Sequence, residues 1–165
     1  MLNFSAKKMS IFKNKTGFFL FLPFLYCLNI SPGFCDTWEA KDLLIDHAYA
    51  FTAMSGKNGA AYFHIVNQGN SADDLIGVES PISDKTTLHQ SVHENGIMKM
   101  RSVSSIAIPA NSKVFLKPGD YHVMLFGLKK PLRAGEQFPM RVIFKKSGSA
   151  EILVRIFKMK TGDHE

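Results

Sequence analysis

The sequence predicts an all-β sandwich or barrel, on three observations. Short segments of strand character follow one another from about Leu43, with turn residues every ~8–12 positions between them. Helical character is confined to one stretch near Asp36–Leu44, too short to assign as a helix. No cysteine follows Cys35, so beyond it no disulfide framework can substitute for a hydrophobic core. The remaining ~130 residues are ample for one two-layer core.

Taken in order, the predicted strands are Leu43–Phe51, Gly59–Asn67, Asp74–Ser80, Thr86–His93, Ile97–Val103, Val114–Leu116, His122–Gly127, Gln137–Phe144 and Glu151–Phe157. Ser55-Gly56, Gln68-Gly69-Asn70, Glu94-Asn95-Gly96, Pro118-Gly119-Asp120 and Ser147-Gly148 separate them as turns. No internal repeat, low-complexity block or long linker interrupts the series. At 165 residues the chain holds one domain at most.

The first 35 residues stand apart. Lys7, Lys8, Lys13 and Lys15 form a basic start with no acid before Asp36. The apolar run GFFLFLPFLYCLNI follows from Gly17 to Ile30, and Ser31, Pro32 and Gly33 break it. Gly33 and Cys35 stand at −3 and −1 of a cut before Asp36. This is the layout of a secretory signal peptide over residues 1–35, ahead of a domain over 36–165. The run is short and Pro-interrupted for a membrane span, and an uncleaved anchor is the alternative. Phe34 stands where a lipoprotein signal requires a small residue, which argues against a cut at Cys35.

Removing that leader changes the charge. Its four lysines and lack of acids lower the formal net charge from +6 to +2, so the basic balance is a targeting signal and not a nucleic-acid footprint. Both cysteines, Cys27 and Cys35, leave with it. An exported domain without thiols meets an oxidising space in which thioethers form no disulfides.

One stretch, LHQSVHENGIMKMRSV, carries strong local geometry. Asn95-Gly96 signals a two-residue type I′ hairpin, whose central positions both need positive φ. That turn pairs Glu94 with Ile97, His93 with Met98, Ser91 with Met100, and His89 with Ser102. Side chains alternate along a strand, so one face carries His89, Ser91, His93, Met98, Met100 and Ser102. His89 and Met100 become diagonal neighbours, within the ~7–8 Å of such pairs. Further on, His122 and Met124 lie two apart on one predicted strand and face the same way.

His89, Met100, His122 and Met124 fall as His-x10-Met-x21-His-x-Met. Thioether sulfur with imidazole nitrogen suits Cu(I). A methionine on a strand is ordinarily core filler, and a lone histidine is ordinarily not a ligand. The shared faces are what raise these four above that background. By the same reasoning His47, Met54 and His64 read as structural or surface residues, Met140 as core, and Lys129, Lys130 and Arg133 as a solvated turn. His93 and Met98 sit beside the four and form a possible auxiliary pair.

At this point the chain resembles the periplasmic copper chaperone family known as PCuAC, whose motif is H-(M)-x10-M-x21-H-x-M. His89, Met100, His122 and Met124 match that motif at every spacing, without the optional methionine beside His89. The surrounding words NGAAYFHIVNQGNSADDLIGVESP and IAIPANSKVFLKPGDYHVMLFGLKKPL match as well, so the resemblance runs from about Leu43 to Phe157. It implies a single-domain cupredoxin-like or immunoglobulin-like Greek-key β-sandwich. It also implies one Cu(I) ion per chain, held by those four residues in a monomeric periplasmic metallochaperone. The recipient it implies is the binuclear copper centre of cytochrome c oxidase subunit II, with Sco-type thiol proteins in the same pathway. His93 departs from relatives that carry methionine there. The tail from Lys158 to Glu165, with Met159 and His164, is too short for the His/Met-rich Cu(II) tail of some relatives.

Other classes fit less well. The sequence has no G-x-S-x-G and no H-E-x-x-H, so it carries neither nucleophile-elbow nor zincin chemistry and is not expected to be an enzyme. A blue-copper carrier needs a cysteine ligand, and methionine is a poor zinc ligand. A copper scavenging or storage protein without a dedicated recipient is the alternative to a chaperone.

Overall fold

The computed structural model describes residues 38–40, 42–94 and 96–159, all within the unit Phe34–Glu165. The signal-peptide expectation and the tail beyond Met159 lie outside them. Every regular element among the described residues is a strand. In order they are β1 Trp38–Ala40, β2 Leu43–Phe51, β3 Gly59–Asn67, β4 Asp73–Glu79, β5 Ser83–Glu94, β6 Ile97–Ser102, β7 Ile106–Ile108, β8 Ser112–Leu116, β9 Tyr121–Leu128, β10 Gln137–Phe144 and β11 Gly148–Phe157.

β2, β3 and β10 run over the predicted residues, and most other strands differ by a few residues at an end. Two short strands have no counterpart in the pattern. Within the stretch with helical character, the described residues instead include β1 and the start of β2, which pair as Trp38↔Ile45 and Ala40↔Leu43. An isolated helix that short is marginal in water, whereas a strand pairs its backbone groups with an existing edge. β7 is three residues long, too few to show a period.

The strands form one continuous ladder in the order β6-β5-β9-β8-β3-β2-β11-β10-β4-β7, with β1 beside β2. β3 divides its pairing, with Gly59–Ala61 against β9 and Phe63–Asn67 against β8. β2 carries a bulge: Asp46 pairs with His64 and Tyr49 with Tyr62, leaving His47 and Ala48 opposite one residue. Beyond it, Tyr49–Phe51 run parallel to Arg155–Phe157 of β11.

Period-two alternation then builds the interior. Ala61, Phe63 and Ile65 of β3 and Val123 and Leu125 of β9 are wholly buried, in one cluster with Met140 and Val142 of β10 and Val154 of β11. Each large aliphatic or aromatic side chain there contributes about 1.5–3 kcal/mol by leaving water. The two ends of the ladder thus cover a common core as two layers, and Met140 is core as expected. Asp73 fastens one corner, its carboxylate accepting from the backbone N–H groups of Asp74, Lys146 and Ser147. Burial alone would raise its pKa, but bonds from Ser147, Asp74 and Lys146 outweigh that and hold it below the usual range.

Candidate metal centre

Three neighbouring strands, β6, β5 and β9, bring the predicted residues to one outward face. The hairpin register is the one its turn predicts, with His89↔Ser102, Ser91↔Met100, His93↔Met98 and Glu94↔Ile97. Gly96 takes a φ of 76°, the left-handed conformation that glycine adopts without a Cβ penalty. Glu94 pairs with Lys99 at 3.2 Å and with Arg101, so the ionic side of the hairpin is the face away from the methionines.

On its other side β5 pairs with β9, and His89 stands directly opposite His122. Their ring centroids are 5.8 Å apart. Thr87 stands opposite Met124, so Met124 is the diagonal neighbour of His89 on one side. Met100, opposite Ser91, is its diagonal neighbour on the other. With strands ~4.8 Å apart and ~3.4 Å per residue, the Met100 and Met124 backbones are about 17 Å from each other. His89, His122 and Met124 already form a close group. Met100 joins them only if its side chain and strand lean over His89.

The two histidines sit in different settings from the methionine on β6. His122 is 3% exposed, whereas Met100 is 61% exposed. The carbonyl oxygen of Asp120 lies 2.9 Å from His122 Nδ1. A carbonyl only accepts, so Nδ1 carries the proton and Nε2 of the neutral ring keeps its lone pair. Nε2 is buried and has no hydrogen-bond partner. The same carbonyl accepts the N–H of Ser91 at 3.2 Å, which ties the His122 ring to the base of the hairpin. Gly119, with a φ of 79°, makes the predicted turn that aims this carbonyl.

His89 has the same unmet need. Its Nδ1 is buried without a partner. Burial lowers its pKa below the ordinary imidazole value, and the neighbouring His122 and Lys85 lower it further. Two adjacent imidazoles thus each carry an orphaned buried nitrogen, and a buried nitrogen without a partner costs free energy that a bound ion would recover. Around them Tyr62 and Phe126 wall the site, with centroids 6.5 Å from His122 and 6.0 Å from His89, respectively. His93 and Met98 are paired but exposed, farther out on the hairpin.

A second group was not legible from spacing. Asp46, His47 and His64 place ligand atoms within 4.8 Å of one another. Their spacing marks neither of these histidines as more than a structural or surface residue. The bulge that gathers them depends on pairing with β3 and leaves no local sequence signal.

The fold and this face define a β-sandwich domain with two adjacent imidazoles on an outer sheet and a thioether to either side of them. Residues 43–156 match the family described as "Putative lipoprotein LpqE-like", and the chain belongs to that family. The PCuAC resemblance read from the sequence stands with it. Lxx21020 of Leifsonia xyli subsp. xyli, described in similar terms, is 31% identical over 119 residues, covering 72% of this chain and 71% of its own. RP573 of Rickettsia prowazekii is 30% identical over 100 residues, covering 60% of this chain and 55% of its own.

Among solved structures, the copper-bound PCuAC domain from PmoF2 superposes with a TM-score of 0.63 at 23% identity, covering 74% of this chain and 98% of that domain. The Cu(I) form of DR1885 from Deinococcus radiodurans gives 0.57 at 23% identity, covering 74% of this chain and 81% of that one. At such identities the likeness establishes the fold, which is the expected cupredoxin-like or immunoglobulin-like β-sandwich.

Proposed function

We propose that this protein is an exported copper metallochaperone that carries one Cu(I) ion per chain through His89, His122, Met124 and Met100. The observation that carries the reading is the pair of buried, unpartnered imidazole nitrogens, His89 Nδ1 and His122 Nε2, beside a thioether. Membership in the LpqE-like family and the likeness of this chain's fold to copper-bound PCuAC domains support it. Four neutral donors leave the cation's charge uncompensated, so they hold Cu(I) without the grip of thiolates. An exposed Met100 is the ligand a recipient would displace first. Two thiols of a partner could then take the ion by stepwise exchange, while His122 and Met124 hold it to the last.

The recipient in this reading is the binuclear copper centre of cytochrome c oxidase subunit II, alongside Sco-type thiol proteins. X-ray absorption of the Cu(I) form tests the site, with two nitrogen and two sulfur neighbours expected. A shell without sulfur would overturn the assignment. Incubating the holo protein with a soluble oxidase subunit II fragment tests the role: transfer supports a chaperone, and retention supports scavenging or storage. The names of the relatives favour export. Mass spectrometry of the secreted protein decides its form, with Asp36 as the expected first residue and a lipidated Cys35 as the contrary result.

A further inference from the structure

We infer that Asp46, His47 and His64 form a second metal site, for a divalent ion of nitrogen and oxygen preference such as Cu(II) or Zn(II). Asp46 and His64 are directly opposite each other on β2 and β3. Strict alternation after Asp46 would turn His47 into the core. The bulge prevents this, because His47 takes a φ of 52° and Ala48 fills the inward position in its place. Histidine tolerates the left-handed region better than most residues, yet it is uncommon there. The strained residue is thus the one whose imidazole the strain turns outward, beside Asp46.

The geometry is close to what an ion requires. His47 Nδ1 and His64 Nδ1 lie 2.8 and 3.2 Å from the same carboxylate oxygen, Asp46 Oδ1. A tetrahedral ion with ~2.0–2.1 Å bonds separates its ligands by about 3.3 Å. Asp46 Oδ1 is buried and neither contact has hydrogen-bond geometry, so the oxygen is left without a partner. The His64 ring is held edge-on to Phe115 at 4.8 Å and tilted against His47 at 5.1 Å. Asp46 and His64 are therefore half-buried, and His47 is open to solvent, which leaves room for water or a fourth ligand.

The donor set separates this site from the one on β5 and β9. It holds no sulfur, and a carboxylate with two imidazoles selects a divalent ion over Cu(I), with Cu(II) ahead of Zn(II) in intrinsic affinity. His64 shares its face of β3 with Tyr62, whose ring adjoins His122, so both sites open on one outer sheet.

The test is titration of the full domain with Cu(II), read by electron paramagnetic resonance, and separately with Zn(II) by calorimetry. His47→Asn keeps a residue that accepts positive φ, and His64→Gln keeps size and polarity. Each is expected to lower the affinity of one equivalent at least tenfold and to remove a two-nitrogen signal, with the thermal transition unmoved. His89→Gln with His122→Gln should leave that equivalent in place, which distinguishes failure here from failure of the Cu(I) reading. If His47→Asn and His64→Gln leave binding of both ions unchanged, the cluster is an ordinary ion pair and the inference falls.

Discussion

β9 and β6 contribute to the same outward face, yet they are built to opposite rules. β9 lies between β5 and β3. Its alternate residues, Val123 and Leu125, are wholly buried, and His122 is sealed beneath neighbouring rings. β6 is an edge strand paired only with β5, and all six of its residues are exposed. The reason is visible in the ladder. β5 is paired with β9 as far as Gln90, and the hairpin beyond it projects past the sandwich. A carrier needs both kinds of strand. In the proposed carrier the buried one would hold His122 in place before the ion arrives, and the free one would let Met100 be lost without unfolding anything.

The strongest way to break this contrast is His122→Ala. Removing a hydrogen-bond partner of a metal ligand costs ~10–100-fold in affinity, and removing the ligand itself should exceed 100-fold. Chelator competition for Cu(I) measures it. Denaturant unfolding should show a loss of about 2 kcal/mol as well, because a buried, bonded ring is gone. Unchanged Cu(I) affinity would place the ligands elsewhere.

The methionines divide the contrast further. Met100→Ala and Met124→Ala are each expected to weaken Cu(I) binding more than tenfold, and the double substitution to abolish tight binding. Their stabilities should differ: Met124→Ala should cost ~1–2 kcal/mol for partly buried packing, and Met100→Ala less than about 0.5 kcal/mol at an exposed site. Equal unfolding midpoints would erase the distinction between the two strands.

Backbone dynamics sharpen the comparison without any substitution. In the apo protein, ¹⁵N order parameters over β9 should lie near the ~0.85 of rigid backbone, with those over β6 lower. Uniform values along both strands would mean that the hairpin is as stiff as the core.

The smallest expected effect is in pH. His89 has its pKa lowered by burial, then by His122 and Lys85, so the native state prefers the neutral ring. Above the unfolded value of ~6.5 neither state binds the proton and stability is full. As pH falls through that value the unfolded chain protonates first, and stability declines until the lowered native pKa is passed. Unfolding free energies at pH 7.5 and 5.5 should show this decline, and His89→Gln should shrink it. An equal decline in the variant would assign the effect to another group.

Much of this architecture is legible in the residues alone. Asn95-Gly96 sets a register that pairs His89 with Ser102 and Ser91 with Met100, as found. Turn chemistry is local, and side-chain alternation follows from it. The short β1 and β7 were not legible, because three residues show no period and form only against a partner. Nor does anything near Asp120 in sequence announce that its carbonyl receives both His122 Nδ1–H and the Ser91 N–H.

By itself, then, the sequence determined the strand pattern, the hairpin register and which of the four residues share a strand face, since these follow from turns and a two-residue period. Tertiary structure alone decided that His89 meets His122 across β5 and β9, that their free nitrogens are buried, and that Met100 stays outside. It alone also brought Asp46 and His47 to His64. Those outcomes depend on pairing between strands distant in the chain and on burial, and neither is written in the spacing of residues.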